Sequence, residues 1–422
     1  MDLFSRFKKD YLNYLLSIIL PGIVTAGSIP LFKLLLGAKG YGNFSITFNS
    51  VLLCSATLSG WISQSILRYF PASTHKQSFA RQSILLSGIT QAIFSLPVFC
   101  IVWYLKGDLL MALFFTIALF ITSLQFSILA IGQSIFLSKK SIYSEILRTG
   151  SYITIALILL KFTGIHYMYA LFTAIIFSYF LSFGYLYSLT SKELAKGPYL
   201  VKEYKTERLK ELFIRFILYG GPLSLFFIFA YLISLVDKFF MLNKVGAEVE
   251  GNYQAMFDFL SKSITIVISP VVISLLPLLT MAYQHGRTRE IKKLLVTLFG
   301  VELAALFVTC ILYWWFGSRI LFGLIKIPDT PEYKLMGLIL IAGTFIWQMA
   351  IIVHKRYELK FKSTFLLGMV AIAFMSQLLL YIFFDKSNNL LLYPLGYALS
   401  SVVYLFLVSI GLIGIFLKRL LH

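Results

Sequence analysis

The sequence predicts an all-α integral membrane protein of about twelve transmembrane helices, arranged as two pseudo-symmetric six-helix lobes with both termini cytoplasmic. Three observations carry this prediction: a composition suited to lipid, an alternation of basic and nearly neutral connections, and an octapeptide that recurs at half the chain length. Of the 422 residues, 59% are hydrophobic and 13% charged, and the mean hydropathy is +0.85. A soluble domain carries about a quarter charged residues. Each helical span needs about 20 apolar residues, and with its connection uses roughly 30 to 35.

Reading apolar runs against charged, Pro and Gly punctuation places spans at about 11–36, 43–67, 82–105, 109–137, 142–162 and 167–189. After a polar stretch come runs at about 211–236, 253–281, 291–316, 335–353, 363–384 and 391–417. The expected organisation is an N-terminal lobe over residues 1–189, a basic cytoplasmic linker over 190–210 and a C-terminal lobe over 211–422. The linker reads equally as an amphipathic helix on the inner membrane surface or as a plain basic connection. No connection is long enough for a separate soluble domain, so binding has to occur within or between helices. The amino terminus, with Arg6, Lys8 and Lys9, precedes an apolar run too long for a signal-peptide core and is expected to remain as the first span.

The net charge is +19, from 37 Lys and Arg against 18 Asp and Glu. Its distribution argues against a nucleic-acid partner, because the basic residues fall mainly in alternate short connections. One set holds Lys76/Arg81, Lys139/Lys140/Arg148, Lys192 to Lys210, Arg287 to Lys293, Lys355 to Lys362 and Lys418/Arg419, and should face the cytoplasm. The other set is sparse and partly offset by Asp108, Glu248, Glu250, Asp329, Glu332 and Asp385.

The repeat aligns Gly37-Ala38-Lys39-Gly40-Tyr41-Gly42-Asn43-Phe44 with Gly246-Ala247-Glu248-Val249-Glu250-Gly251-Asn252-Tyr253, an offset of 246 − 37 = 209. Each copy is expected as an outer loop between two spans. Six intervening spans give the two halves the same orientation, as in alternating-access transporters whose site lies between repeats near the midplane. Pro21-Gly22 and Gly220-Gly221-Pro222 read as helix breaks in the first and seventh spans, with a kink used for packing as the alternative.

Ionisable groups inside the bilayer are functional candidates by default. Asp258 and Lys262 share one helix face at a spacing of four, where they line a cavity or neutralise each other. Glu302 lies about two turns into its span and is a candidate proton-coupling carboxyl or a buried hydrogen-bonded one. Lys33 and Arg68 could reach a lipid phosphate, with snorkelling to the interface as the bland alternative. Asp237-Lys238 and Glu145/Arg148 stand near span ends as gate ion pairs or interfacial anchors. Asn49, Gln64, Gln91, Gln125, Gln133, Gln348 and Gln377 could contact sugar hydroxyls, although bonds between helices are their commoner role.

Enzyme signatures are missing: there is no GxxxxGK[ST] loop and no HExxH, and the five histidines are scattered. Cys54, Cys100 and Cys310 lie in apolar stretches without disulfide or ligand spacing. No metal site, cofactor or catalytic residue is expected, and the chain does not read as an enzyme.

Leu36 to Phe44 after Pro30, together with Gly221-Pro222-Leu223, Val236-Asp237-Lys238-Phe239-Phe240, Gly246-Ala247, Gly251-Asn252-Tyr253 and Pro277, resembles the corresponding segments of bacterial polysaccharide and O-antigen flippases. These belong to the multidrug/oligosaccharidyl-lipid/polysaccharide (MOP) superfamily. The resemblance is at motif level around residues 20–71 and 220–280. It implies a MATE-like pair of lobes around a cationic cavity in the bacterial cytoplasmic membrane. It also implies an undecaprenyl-diphosphate-linked oligosaccharide as cargo, carried to the outer leaflet for O-antigen, capsule or exopolysaccharide synthesis, with membrane lipids, a polymerase and glycosyltransferases as partners. By the same resemblance Lys33, Arg68 and Lys262 match basic residues of related flippases. Coupling to a proton or sodium gradient is an expectation, with Asp237, Asp258, Glu302 and Arg148 as candidate coupling or gating residues. A drug/cation antiporter of the same superfamily is the second transport reading; few buried acids weigh against it. A polytopic polymerase or glycosyltransferase is the third.

Overall fold

The computed structural model describes residues 3–70, 73, 75–135, 137–196, 209–284, 286–317, 319, 322–360, 362–384 and 389–420. Twelve helices are present among them. They are α1 (Leu3–Tyr69), α2 (Lys76–Lys106), α3 (Leu109–Ser134), α4 (Ser138–Phe162), α5 (Tyr167–Lys196), α6 (Leu209–Val245), α7 (Ala247–Gln284), α8 (Thr288–Gly317), α9 (Gly323–Ile325), α10 (Pro331–Leu359), α11 (Ser363–Phe384) and α12 (Leu392–Leu420). The helix α1 holds the first two predicted spans and α9 is a single short turn, so the all-helical plan expected from the apolar runs is the one observed. An apolar solvent enforces it, since every backbone N–H and C=O within lipid has to bond inside its own segment.

Nine of these helices are long and apolar enough to cross a membrane by length and composition. The helix α4, which carries Lys139, Lys140, Glu145, Arg148 and Lys161, is not among the nine. Large apolar side chains point outward along the helices, with Leu96, Phe307, Trp314 and Phe383 all more than half exposed. Trp103-Tyr104 ends α2 and Trp314-Trp315 ends α8, as aromatic residues do at a lipid–water boundary.

Two expectations are corrected. Pro21-Gly22 and Gly220-Gly221-Pro222 do not interrupt their helices: α1 and α6 run through both. Gly220 serves packing instead, because a Cβ there would run into the backbone of Trp61. Nor do the two octets form loops. Only Gly37 (φ 70°, ψ 172°) leaves the helix within α1, and only Gly246 (φ 90°) separates α6 from α7. The reversal is concentrated in one positive-φ residue per copy, which glycine tolerates because it lacks a Cβ. The remaining octet residues are helical. Residues 197–208 of the basic linker lie outside the described residues; the preceding residues, up to Lys196, extend α5.

The chain groups into two compact units, Met1–Ile46 with Phe229–His422, and Thr47–Ile228. Both boundaries fall inside long helices, α1 and α6. In the first unit α10 packs on α12, α7 and α8, and α11 packs on α12. In the second, α3 packs on α2 and α5, and α4 on α5. The core of this unit is built from Ile62, Ile66, Phe70, Ile131, Leu212 and Phe216.

Lipid tails are as apolar as leucine, so helices in a membrane associate through close packing and buried hydrogen bonds. The second unit follows that rule: Ser65 donates to the Phe216 carbonyl, Ser127 meets Ser87 at 2.9 Å, and Gln125 Nε2 donates to Ser182 Oγ at 2.8 Å. In the first unit Gln377 Nε2 donates to the Ile233 carbonyl and the Tyr381 hydroxyl, and Gln348 Nε2 to Thr265 Oγ1. Gln125, Gln348 and Gln377 thus bond between or within helices.

Candidate functional site

The first unit buries a group of ionisable side chains where the two octets meet. Gly42 and Gly251 lie so close that a Cβ on Gly42 would stand 2.9 Å from the Gly251 Cα and against the Glu250 carboxylate, and one on Gly251 would enter the Ala38 carbonyl. One turn further, Gln254 Nε2 donates to Ser45 Oγ at 2.9 Å. Both Gly42/Gly251 and Ser45/Gln254 are related by the repeat offset of 209. Repeat-equivalent residues touch each other only near an axis relating the copies, so a local approximate two-fold passes between α1 and α7 here.

Acidic and basic side chains surround this contact. Asp258 Oδ2 accepts from Tyr41 Oη at 2.9 Å and from Ser45 Oγ at 2.7 Å, so one carboxylate oxygen ties α7 to α1. Lys262, one turn along, and Lys238 are its electrostatic neighbours. Asp237 is fully buried; it accepts from Tyr253 Oη and from the Lys238 amide at 2.9 Å. Lys238, 2% exposed, sets its ammonium 4.1 Å from the Phe257 ring centroid, and Phe257 packs edge-on against Tyr397. A cation over an aromatic face is attracted by the ring quadrupole, which compensates part of its lost hydration. Glu250 is 0% exposed, and neither of its carboxylate oxygens has a hydrogen-bond partner.

The other expected residues are placed elsewhere. Lys33 is buried and donates to the Lys326 carbonyl at 3.1 Å, holding the turn after α9 where Lys326 itself adopts φ 55°. Glu302 on α8 is 4% exposed with both oxygens unpartnered. The second unit holds Arg68 and Arg148. Arg68 stands 5.1 Å from the Tyr219 centroid, and Arg215 stands 5.2 Å from the Tyr69 centroid; Tyr69 and Tyr219 pack edge to face. Arg148 bonds Glu145 of its own helix at 2.7 Å and lies 4.9 Å from the Tyr179 centroid on α5. Of the expected residues, Asp237, Lys238, Asp258 and Lys262 come together.

Sequence reading alone treats Glu250 as a loop charge and passes over Tyr41, Ser45, Tyr253 and Gln254 as site residues. A usable signal existed in the repeat, which extends in register to Ser45 and Gln254, but those two residue types differ.

With this geometry in view, solved structures of similar shape decide the fold. A mutant of the Vibrio cholerae MATE transporter VcmN matches with a TM-score of 0.75 over 97% of both chains, at 11% identity. The fold is the MATE fold. An outward-facing multidrug resistance MATE family transporter of the MOP superfamily matches at 0.69, over 95% of this chain and 94% of that one, with 14% identity. The eukaryotic MATE transporter AtDTX14 matches at 0.66, over 98% and 96%, with 15% identity. No family model and no curated protein matches the sequence. The fold leaves the cargo open.

Proposed function

We propose that this chain is a transporter of the bacterial cytoplasmic membrane that turns an undecaprenyl-diphosphate-linked oligosaccharide from the inner to the outer leaflet. Its basic connections face the cytoplasm, and residues 1–189 and 211–422 form two lobes that rock about a site between them. The octet contact is then the closed outer gate, because both copies stand at outer span ends under this orientation. The observation that carries the cargo is the presence of the basic residues Lys33, Arg68 and Lys262 within segments that resemble polysaccharide flippases. A guanidinium or ammonium suits a diphosphate, Arg bidentately and Lys as a point charge.

A drug/cation antiporter is the second reading, and one observation favours it. Four acids, Asp237, Glu250, Asp258 and Glu302, are buried in the first unit, more than the sequence reading expects. The deciding experiment is deletion of the gene followed by analysis of lipid-linked intermediates. The flippase reading expects completed repeat units to accumulate facing the cytoplasm while uptake of cationic dyes stays unchanged. Raised dye accumulation with normal surface polysaccharide would favour the antiporter and remove the flippase reading.

A further inference from the structure

We infer that Glu250 is a proton-binding site that holds the contact between the two octets closed when its carboxyl is protonated and releases it when the proton leaves. The inference rests on the reading of that contact as a gate.

Two independent observations meet at this residue. The first is its position. Glu250 lies one residue before Gly251, in the first turns of α7, and its Oε2 occupies the space that a side chain on Gly42 would need. The carboxyl is therefore part of the surface along which α1 and α7 approach, and it cannot change its solvation without that contact changing. The second is the absence of any donor. Glu250 is wholly buried with both oxygens unpartnered, whereas Asp237 and Asp258 beside it are each satisfied by at least two hydrogen bonds. An ionised carboxylate without donors in such surroundings is strongly disfavoured, and a protonated one is tolerated.

The groups that bear on Glu250 come from three helices. From α6 come Asp237 and Lys238, and from α7 itself Asp258, which are its three electrostatic neighbours. The α1 side presents Tyr41 and Ser45, whose hydroxyls are directed to Asp258. Lys238 is the single cation among the three neighbours, and Asp237 and Asp258 compete for it; Glu250 is thus the third acid around one ammonium. If all three acids were ionised against Lys238 and the more distant Lys262, the group would carry a net charge of 2 − 3 = −1, and one proton on Glu250 cancels it. Opening the contact exposes Glu250 to water, where a carboxylate is stable and the proton departs to solvent. Closing it therefore takes up one proton. Neither Tyr41, the repeat equivalent of Glu250, nor Ser28, that of Asp237, is acidic, so the device belongs to one copy only.

The test uses the full chain in proteoliposomes with Cys54, Cys100 and Cys310 replaced by Ala and with Ser45→Cys and Gln254→Cys as a cross-linkable pair. Cross-linked fractions are compared with and without Glu250→Gln across neutral to mildly alkaline pH; the ratio of the two cancels the pH dependence of thiol chemistry. A neutral amide should keep the contact closed at every pH. In the protein that retains Glu250, the closed-to-open ratio should fall as pH rises, by up to about tenfold per pH unit for one released proton. Equal profiles in the two proteins would overturn the inference, as would a profile that follows sodium in place of pH. If neither protein shows any change in cross-linking under any condition, the gate reading itself fails. If Glu250→Gln does not yield a monodisperse protein, carbodiimide labelling with peptide mapping decides. Labelling of Glu250 that increases as pH falls supports the site, and no label at Glu250 at any pH removes it.

Discussion

Asp258 illustrates how a membrane interior uses a charge that it could not otherwise hold. A lone carboxylate in lipid is unfavourable by several kcal/mol. Here one oxygen takes hydroxyl protons from Tyr41 and Ser45, and Lys262 and Lys238 lie within electrostatic reach. Removing the acceptor leaves two buried hydroxyls and part of a cation without it, a loss that falls on the partners as much as on Asp258. We expect Asp258→Leu to lower unfolding stability by roughly 1–3 kcal/mol, and Asp258→Asn, which keeps an acceptor oxygen, to lower it by less. Thermal unfolding of the purified variants in detergent measures both. An equal loss for Asn and Leu would mean that the charge, and not the acceptor, holds α1 to α7.

At the scale of elements, the apolar runs predict the helices well, because length and hydropathy respond to the lipid directly. The octets are harder to read: Gly, Asn and charged residues signal a loop in water, whereas the chain needs only one positive-φ glycine per copy and continues as helix. Pro222 misleads for a related reason, since a membrane helix tolerates a missing N–H. Capping signals survive unchanged in the connections. Asp108 closes the start of α3 by accepting from the Met111 amide at 3.0 Å and from Tyr169 Oη on α5 at 2.5 Å. The Tyr169 hydroxyl first, and the Met111 amide after it, hold the Asp108 carboxyl below its ordinary value. A group whose value is depressed on folding contributes stability above its unfolded value and loses it as pH falls through the folded one. Wild type should therefore exceed Asp108→Asn in thermal midpoint near neutral pH, and the small gap should close as pH falls through the carboxylate range. Asparagine also caps, so a gap that persists at low pH would assign the effect to the cap and not to the charge.

For the whole molecule, the repeat was legible in the sequence as a spacing of 209, yet its meaning depends on where the copies go. Sequence comparison gives two loops of equal topology; the fold brings them into one unit with Gly42 on Gly251 and Ser45 on Gln254. Only a contact near a symmetry axis joins positions separated by the repeat length itself, and nothing in one-dimensional pattern distinguishes that from two remote copies. The same geometry predicts which substitution disturbs the cycle without touching cargo. A leucine at Gly251 has no room beside the Ala38 carbonyl, and overpacking of this kind costs about 1–3 kcal/mol when neighbours have to move. An interface that opens during transport can relieve the clash by opening, whereas a contact needed for folding cannot. Under the gate reading, Gly251→Leu should fold, and Ser45→Cys in that background should react severalfold faster with a membrane-impermeant maleimide added from outside. Gly220→Leu, which clashes with Trp61 within the second unit, serves as the comparison and should leave that reactivity unchanged. Equal labelling of Ser45→Cys with and without Gly251→Leu would show that the octet contact does not open to relieve strain, and would turn the repeat from a gate into a fixed hinge.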